Sequence, residues 1–439
     1  MKIVKEREFL IRRSSDLLDL DWYVLGPVLG LITISLLLLK SAAGGYFFSK
    51  QLFFLLPAIT IGILFMFIRV GSLMESAVWI YVVNILLLGL VLVKGSVVMG
   101  SQRWLSLGPI HIQPSELAKI AMIVSLAAWY TKRPIKGFQD ILISAFIVAP
   151  PFLLIFKQPD LGTSLAYGAI FLGMAFWAGA SLTHLLILIS PLASLITNAT
   201  GKPILSLGTM NIHDKIIELT LTNNFFIFLL ILIICLVISY KPWKSPWLVL
   251  FIGGVVFFNF LVGFVRPILW GVLHAYQQRR LTIFLDPESD PLGAGYHIVQ
   301  SLLAIGNGGF FGQGWLHGRL TKGSYVPAHH TDFVFSIAGE EWGFIGTSIV
   351  VLLFLALLWR ILYIATNTKD DFASLLCIGI FSFFIFHIFV NIGMTIGIMP
   401  ITGVPLPFIS YGGSSLVVNM FAVFLLASIS WRTLPHRLF

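Results

Sequence analysis

Charge is what this chain has least of. Only 11% of its 439 residues are Asp, Glu, Lys or Arg, whereas an ordinary soluble domain carries about 25%. So sparse a set cannot dress a water-facing surface, and a soluble globular fold is excluded. Cysteine is nearly missing too. The two present, Cys235 and Cys377, both fall inside apolar runs, so no disulfide framework is implied and both read as small buried hydrophobes. No repeat of regular period and no low-complexity linker divides the chain, which points to a single domain. The first 21 residues, "MKIVKEREFLIRRSSDLLDLD", lack the short apolar core and cleavage site of a signal peptide and read as a retained cytoplasmic tail.

What is abundant is hydrophobic: 58% of residues, with a mean hydropathy of +0.95. Apolar runs long enough to cross a bilayer, about 20 residues each, recur throughout. Clear spans lie near 22–40, 51–68, 76–94, 115–131, 140–156, 163–180, 247–268, 333–358, 373–399 and 414–431. Weaker runs at 181–197, which contains Pro191, and 224–240 suggest an extra helical hairpin within 181–240. The expected fold is an all-α polytopic membrane protein of about 10–12 transmembrane helices with one large extracytoplasmic loop, 269–331.

The net charge of +9 does not indicate nucleic acid, because the basic residues stand singly at the ends of apolar runs, as topology signals do. With the N-terminus placed inside, inner segments hold fifteen Lys and Arg and short outer loops hold seven. Both termini, 1–21 and 432–439, are therefore expected in the cytoplasm, flanking one transmembrane domain, 22–431, of the cell membrane.

Polar residues inside or beside spans single out candidate sites, since ionised groups in lipid are costly. "QPSELAK" opens a span with Pro114 at a helix start and Glu116 and Lys119 at i, i+3, on one face where they can pair. Such a pair is either a structural ion pair or a functional one. Asp160, in "KQPDLGTS", suits a helix N-cap. Glu340 and Glu341 begin a later span, and Arg103, Lys119, Lys157, Arg279 and Arg280 are candidates to gather with these acids at the outer face. Basic side chains there could clamp a lipid diphosphate, with or without a divalent cation (Mg or Mn) held by carboxylates. A transporter would place its charges nearer the membrane midplane. "GNGGFFGQGWLHG" has six glycines in thirteen residues but lacks Walker spacing, and reads as a packed turn before a phosphate loop.

The acidic stretch "LDPESDPLGAGYHI" stands apart from this apolar background. Proline disfavours αR in the residue before it, so neither Asp286 nor Asp290 sits mid-helix. Asp286 followed by Pro287 matches an N-cap with proline at N1, a structural turn role. Asp290 leads into "PLGAGY", where glycines permit close approach; its spacing alone gives a turn.

Five stretches together resemble the SEDS family of cell-wall proteins, and most closely its rod-shape branch. They are "GSQRWLSLGPIHIQPSELAK" (100–119), "QPDLGTS" (158–164), "FLDPESDPLGAGYHIVQS" (284–301), "GQGWLHG" with "HTDFVFSIAGEEWGFIG", and "NIGMTIGIMPITGVPLPFISYGGSS" (391–415). The resemblance implies a membrane glycosyltransferase joining lipid II units into peptidoglycan strands on the outer leaflet, partnered by a class B penicillin-binding protein and other elongation-complex proteins. It implies that Asp290 is the catalytic acid, that Trp104 is important before the fourth span, and that Glu116, Lys119 and Asp160 line a polar cavity. The family runs almost directly from its seventh span into the acidic loop, whereas here residues 181–240 intervene.

Lipid II is α-linked and the strand β-1,4-linked, so transfer inverts the anomeric carbon. One base must take the acceptor hydroxyl proton, and the departing diphosphate must be stabilised. Asp290 is assigned the first role and Arg103 and Lys119 the second, positioned by Glu116 and Asp160. A carboxylate of pKa about 4 is a weak base, and serves if the proton moves late. The rival readings are a lipid II flippase, which would translocate without polymerising, and a non-catalytic scaffold, which would tolerate neutral cavity carboxylates.

Overall fold

A segment crossing lipid must satisfy its backbone N–H and C=O groups internally, and a helix does so. The computed structural model describes residues 20–42, 44–98, 101–107, 110–158, 160–199, 278, 280, 283, 294–322 and 330–433. Three helices, α1 (Trp22–Ala42), α2 (Gly44–Met66) and α3 (Val70–Lys94), precede a small antiparallel sheet of β1 (Ser96–Val98), β2 (Ser101–Leu107) and β3 (Ile110–Ile112). Then come α4 (Pro114–Lys132), α5 (Phe138–Lys157), α6 (Leu161–Trp177) and α7 (Leu182–Ala199). The rest is α8 (Ala294–Gly308), the single turn α9 (Arg319–Lys322), α10 (Val334–Asn367), α11 (Asp371–Thr395) and α12 (Gly413–Thr433).

This is a polytopic, all-α membrane protein with almost no strand. Among the described residues, α1, α2, α3, α5, α10, α11 and α12 are long and apolar enough to cross a membrane. Each expected span falls on a helix except 247–268, which lies outside the described residues together with 224–240, the second arm of the expected hairpin. The run expected as the first arm, 181–197, falls on α7.

The helix α3 shows why these surfaces need lipid. Trp79, Leu86 and Val93, seven residues apart, are exposed on one stripe, while Leu73, Ala77, Asn84, Leu88 and Val91 face inward. The helix α4 is the opposite case. From Pro114 to Ala128 every residue but Leu117 is buried, enclosed by α3, α5, α6, α11 and α12. A helix surrounded by protein can carry Glu116 and Lys119 because protein groups, not lipid, meet them.

The bundle has two ends. At one, the Asp21 carboxylate accepts from Arg360 Nε and Nη2 (2.8 Å to Nη2) and from Ser430, while Ser428 and Arg432 donate to the Met66 carbonyl. At the other lie the sheet, the N-termini of α4, α6, α10 and α12, and the non-helical segment joining α11 to α12. Its 401–410 stretch is mostly buried, and side chains satisfy part of its backbone: Asn391 donates to Val404 O (2.7 Å), Ser35 to Ile409 O (2.7 Å), and Ser410 Oγ accepts from Leu406 N (2.8 Å).

The glycine-rich stretch is a packed turn. Several of its backbone groups are taken up locally and by the start of α10: Gln313 N donates to Glu340 O (2.9 Å), Gly314 N to Glu341 O (2.9 Å) and Gly312 N to Gly308 O (2.8 Å), while Gly309 O accepts from Phe344 N (2.9 Å). Gly312 (φ 81°) and Gly343 (φ 64°) approach so closely that a Cβ on Gly343 would stand 2.8 Å from Phe310 C. Amides so occupied cannot cradle a phosphate.

Candidate functional site

Proline at N1 starts α4 at Pro114 and sets Glu116 in its first turn, where the helix dipole favours a carboxylate. One turn on, Lys119 is wholly buried and donates to Glu116 Oε1 at 2.8 Å. It also faces His387 Nε2 of α11 at 3.3 Å and lies 4.5 Å above the Phe383 ring. The other Glu116 oxygen, Oε2, is buried with no hydrogen-bond partner among the described residues. The hydroxyl of Tyr167, on α6, is likewise buried and unpartnered, and interacts electrostatically with Glu116 and Asp160.

A second cation–carboxylate pair sits beside the first. Asp160 caps α6 by accepting from Thr163 N (3.2 Å), accepts from Gln113 Nε2 (3.2 Å), and stands 3.8 Å from Arg103 Nη1 of β2. Arg103 is aimed by its Nε, which donates to the Gln158 carbonyl at 3.1 Å; Gln158 in turn donates from Nε2 to Leu88 O (3.2 Å). The sheet thus places a cation over the N-termini of α4 and α6.

A third group borders the segment after α11. Built on Gly403, a Cβ would be 3.3 Å from Arg280 Nη1 and 3.6 Å from Asp332 Oδ2, so both head groups converge there. Burial pushes the Asp332 carboxyl above the usual carboxylate range, and the nearby Arg280 and Arg103 pull it back part of the way. Asn391 Nδ2 donates to Asp332 O (2.9 Å) as well as to Val404 O, fixing this corner to α11.

The structure therefore brings Arg103, Glu116, Lys119 and Asp160 into one polar seam. Trp104 is half-buried on β2, paired with Ser96. Asp286 and Asp290 lie outside the described residues, as do Glu288 and Arg279. Glu340 and Glu341 do not join the seam. Glu340 accepts from Leu320 N (2.7 Å), Thr321 N (2.9 Å) and Thr321 Oγ1, capping α9, and Glu341 accepts from Ser41 of α1. Sequence reasoning missed Tyr167, His387 and Asn391. The signal for the last two was present: a His and an Asn at i, i+4 in a long apolar run.

No group of three or more His, Cys, Asp or Glu that could hold a metal occurs among the described residues. The single unpartnered Glu116 oxygen does not by itself make a divalent-cation site.

A helical bundle that brings two cation–carboxylate pairs together at one end, with Lys119, Glu116 and Asp160 buried, defines a polytopic membrane protein with an internal polar site. The FtsW/RodA/SpoVE family model, described as cell cycle protein, matches residues 20–210 and 216–434, and the chain belongs to that family. Peptidoglycan glycosyltransferase RodA of Treponema pallidum (strain Nichols) is 35% identical over 438 residues, 95% of this chain and 98% of its own. Peptidoglycan glycosyltransferase MrdB of Escherichia coli (strain K12) is 35% identical over 346 residues, 78% of this chain and 75% of its own. A solved chain from "Structural coordination of polymerization and crosslinking by a peptidoglycan synthase complex" superposes with a TM-score of 0.68 at 27% identity, covering 93% of this chain and 97% of that one. The rod shape determining protein RodA of Thermus thermophilus shares the fold, with a TM-score of 0.60 at 24% identity and coverage of 95% and 99%.

Proposed function

We propose that this chain is a peptidoglycan glycosyltransferase that polymerises lipid II into β-1,4 glycan strands at the outer leaflet during cell elongation. The observation that carries the reading is the seam itself: two neighbouring cation–carboxylate pairs, Arg103–Asp160 and Lys119–Glu116, at one end of a mostly apolar bundle. An anionic diphosphate needs fixed positive charge where water is excluded, and held cations supply it without reorganising during the reaction. Relatives named peptidoglycan glycosyltransferases, matched over most of their length, support the same reading.

In this mechanism Asp290 takes the proton from the acceptor hydroxyl as that oxygen attacks the anomeric carbon and inverts it. Arg103 and Lys119 stabilise the leaving diphosphate. Glu116 and Asp160 hold the two cations in place, and Asp286 makes the turn before the base. Trp104 offers a half-buried aromatic face at the rim beside Arg103.

Residues 22–431 form one transmembrane domain in the bacterial cell membrane, with both termini cytoplasmic and 269–331 outside. The basic asymmetry supports this: Arg69, Lys132, Arg133, Lys136, Arg360, Lys369 and Arg432 all lie toward the end opposite the seam. The partner is a class B penicillin-binding protein within an elongation complex, which would cross-link the strands made here. The peptidoglycan synthase complex that supplies a structural relative supports a partner of this kind.

The test is purified protein reconstituted with lipid II on its accessible side, with and without the transpeptidase. A ladder of glycan polymer is expected, rising with the partner. Translocation of lipid II without polymer contradicts the reading and supports a transporter.

A further inference from the structure

His387 has no part in the mechanism above, yet it is the ring against which Lys119 is held. Its Nδ1 lies 3.1 Å from the Pro405 carbonyl, which can only accept, so Nδ1 carries the hydrogen. Nε2 then keeps its lone pair and points at Lys119 Nζ, 3.3 Å away, which can only donate. Partners of opposite sense thus fix one neutral tautomer of a buried ring. Phe383 completes the arrangement: its ring packs edge-on to the imidazole (centroids 4.7 Å apart, 79°) and lies under the ammonium. Glu116, His387 and Phe383 together set the direction of Lys119. Pro405 continues the segment in which Asn391, one turn along α11 from His387, holds Val404 O, and Gly403 abuts Arg280 and Asp332.

We propose that His387 is a positioning residue: its Nε2 accepts from Lys119 and holds that ammonium toward the diphosphate, while its Nδ1–H ties the lysine's place to the 402–406 segment. The inference rests on the reading of Lys119 as a diphosphate-stabilising group. Any buried imidazole needs both nitrogens satisfied, so what marks His387 is the identity of its partners: one is the Lys119 ammonium and the other the 402–406 segment.

Two amides separate these roles. In His387→Gln the terminal oxygen falls near the place of Nε2 and can accept from Lys119, but the bond to Pro405 is lost. In His387→Asn the amide nitrogen falls near Nδ1 and can donate to Pro405, but the acceptor at the place of Nε2 is lost and Lys119 keeps only Glu116. With purified protein and lipid II, His387→Asn is expected to lower kcat by about 10- to 100-fold, the worth of a hydrogen bond to a charged group, with KM changed little. His387→Gln is expected to stay within a few-fold of wild type. The reverse order, or two variants equal to wild type, overturns the proposal. Equal loss of activity in both variants also overturns the proposal, because His387→Gln keeps an acceptor for Lys119. A wild-type protein that makes no polymer at all would instead defeat the functional reading on which this one stands.

Discussion

Lys119 Nζ and Glu116 Oε1 stand 2.8 Å apart, one helical turn from each other, with both side chains buried near the N-terminal end of α4. Taking two charges out of water is costly, and their mutual attraction repays this only while both are present. Lys119→Met should therefore destabilise the protein by about 3–5 kcal/mol by leaving a carboxylate unpaired in a dry site. The double replacement Glu116→Gln with Lys119→Met should recover much of that stability and none of the activity. Melting in detergent checks this. A double variant no more stable than the single one would show that pairing is not what holds the site.

The close approach at the start of α10 makes a second contrast. Gly343 has φ 64° and ψ −158°, a backbone region that is essentially glycine's own, and it packs against Phe310 and Gly312. Gly343→Ala should cost about 2–4 kcal/mol, combining strain with collision. Gly89→Ala, on α3, meets nothing within 4 Å and should stay within about 1 kcal/mol of wild type. Equal melting temperatures for the two variants would contradict the packed-turn account of the glycine-rich stretch.

Asp332 gives the pH dependence. Burial raises its carboxyl pKa above the ordinary 3.8, with Arg280 opposing the shift. A raised acid favours the folded state while protonated, so its contribution is present below the unfolded pKa and lost as pH rises through the folded value. The melting temperature of wild type relative to Asp332→Asn should therefore fall as pH rises upward from the ordinary carboxylate range, then level off. A difference that is flat with pH, or that grows, would rule out the shift.

How far this was legible in the sequence depends on the range of the interactions. The helices were, because lipid imposes its demand locally: among the described residues, the expected runs from Trp22–Ala42 to Gly413–Thr433 fall on helices. The caps at Pro114 and Asp160 and the i, i+3 pair on α4 are local too. The three-stranded sheet was not legible, since two of its strands are three residues long and carry no usable alternation. His387 was not assigned because its contact with Lys119 spans 268 positions of chain, and a single His in an apolar run states no partner. Glu340 misled for the same reason: its charge marked it as a site residue, while its oxygens close on α9.

Orientation is open to chemical labelling. The only described cysteine, Cys377, is buried, and with both native cysteines replaced, Phe311→Cys and Lys369→Cys report on opposite ends of the bundle. An impermeant maleimide added to spheroplasts should modify the first and spare the second. The opposite result would invert the topology and put the seam on the cytoplasmic side.

The central claim is that Asp290 serves as the base in glycan polymerisation, and the most direct measurement is the polymerisation rate of Asp290→Asn against Asp286→Asn. Asparagine keeps the shape of either side chain but cannot take up the proton, and general-base catalysis contributes about 10²–10⁴ in rate. At Asp286 asparagine caps a turn about as well as aspartate. The account predicts that Asp290→Asn polymerises lipid II at least about 100-fold more slowly while still folding and binding lipid II, and that Asp286→Asn stays near wild type. Near wild-type polymerisation by Asp290→Asn, or greater damage from Asp286→Asn, would contradict it.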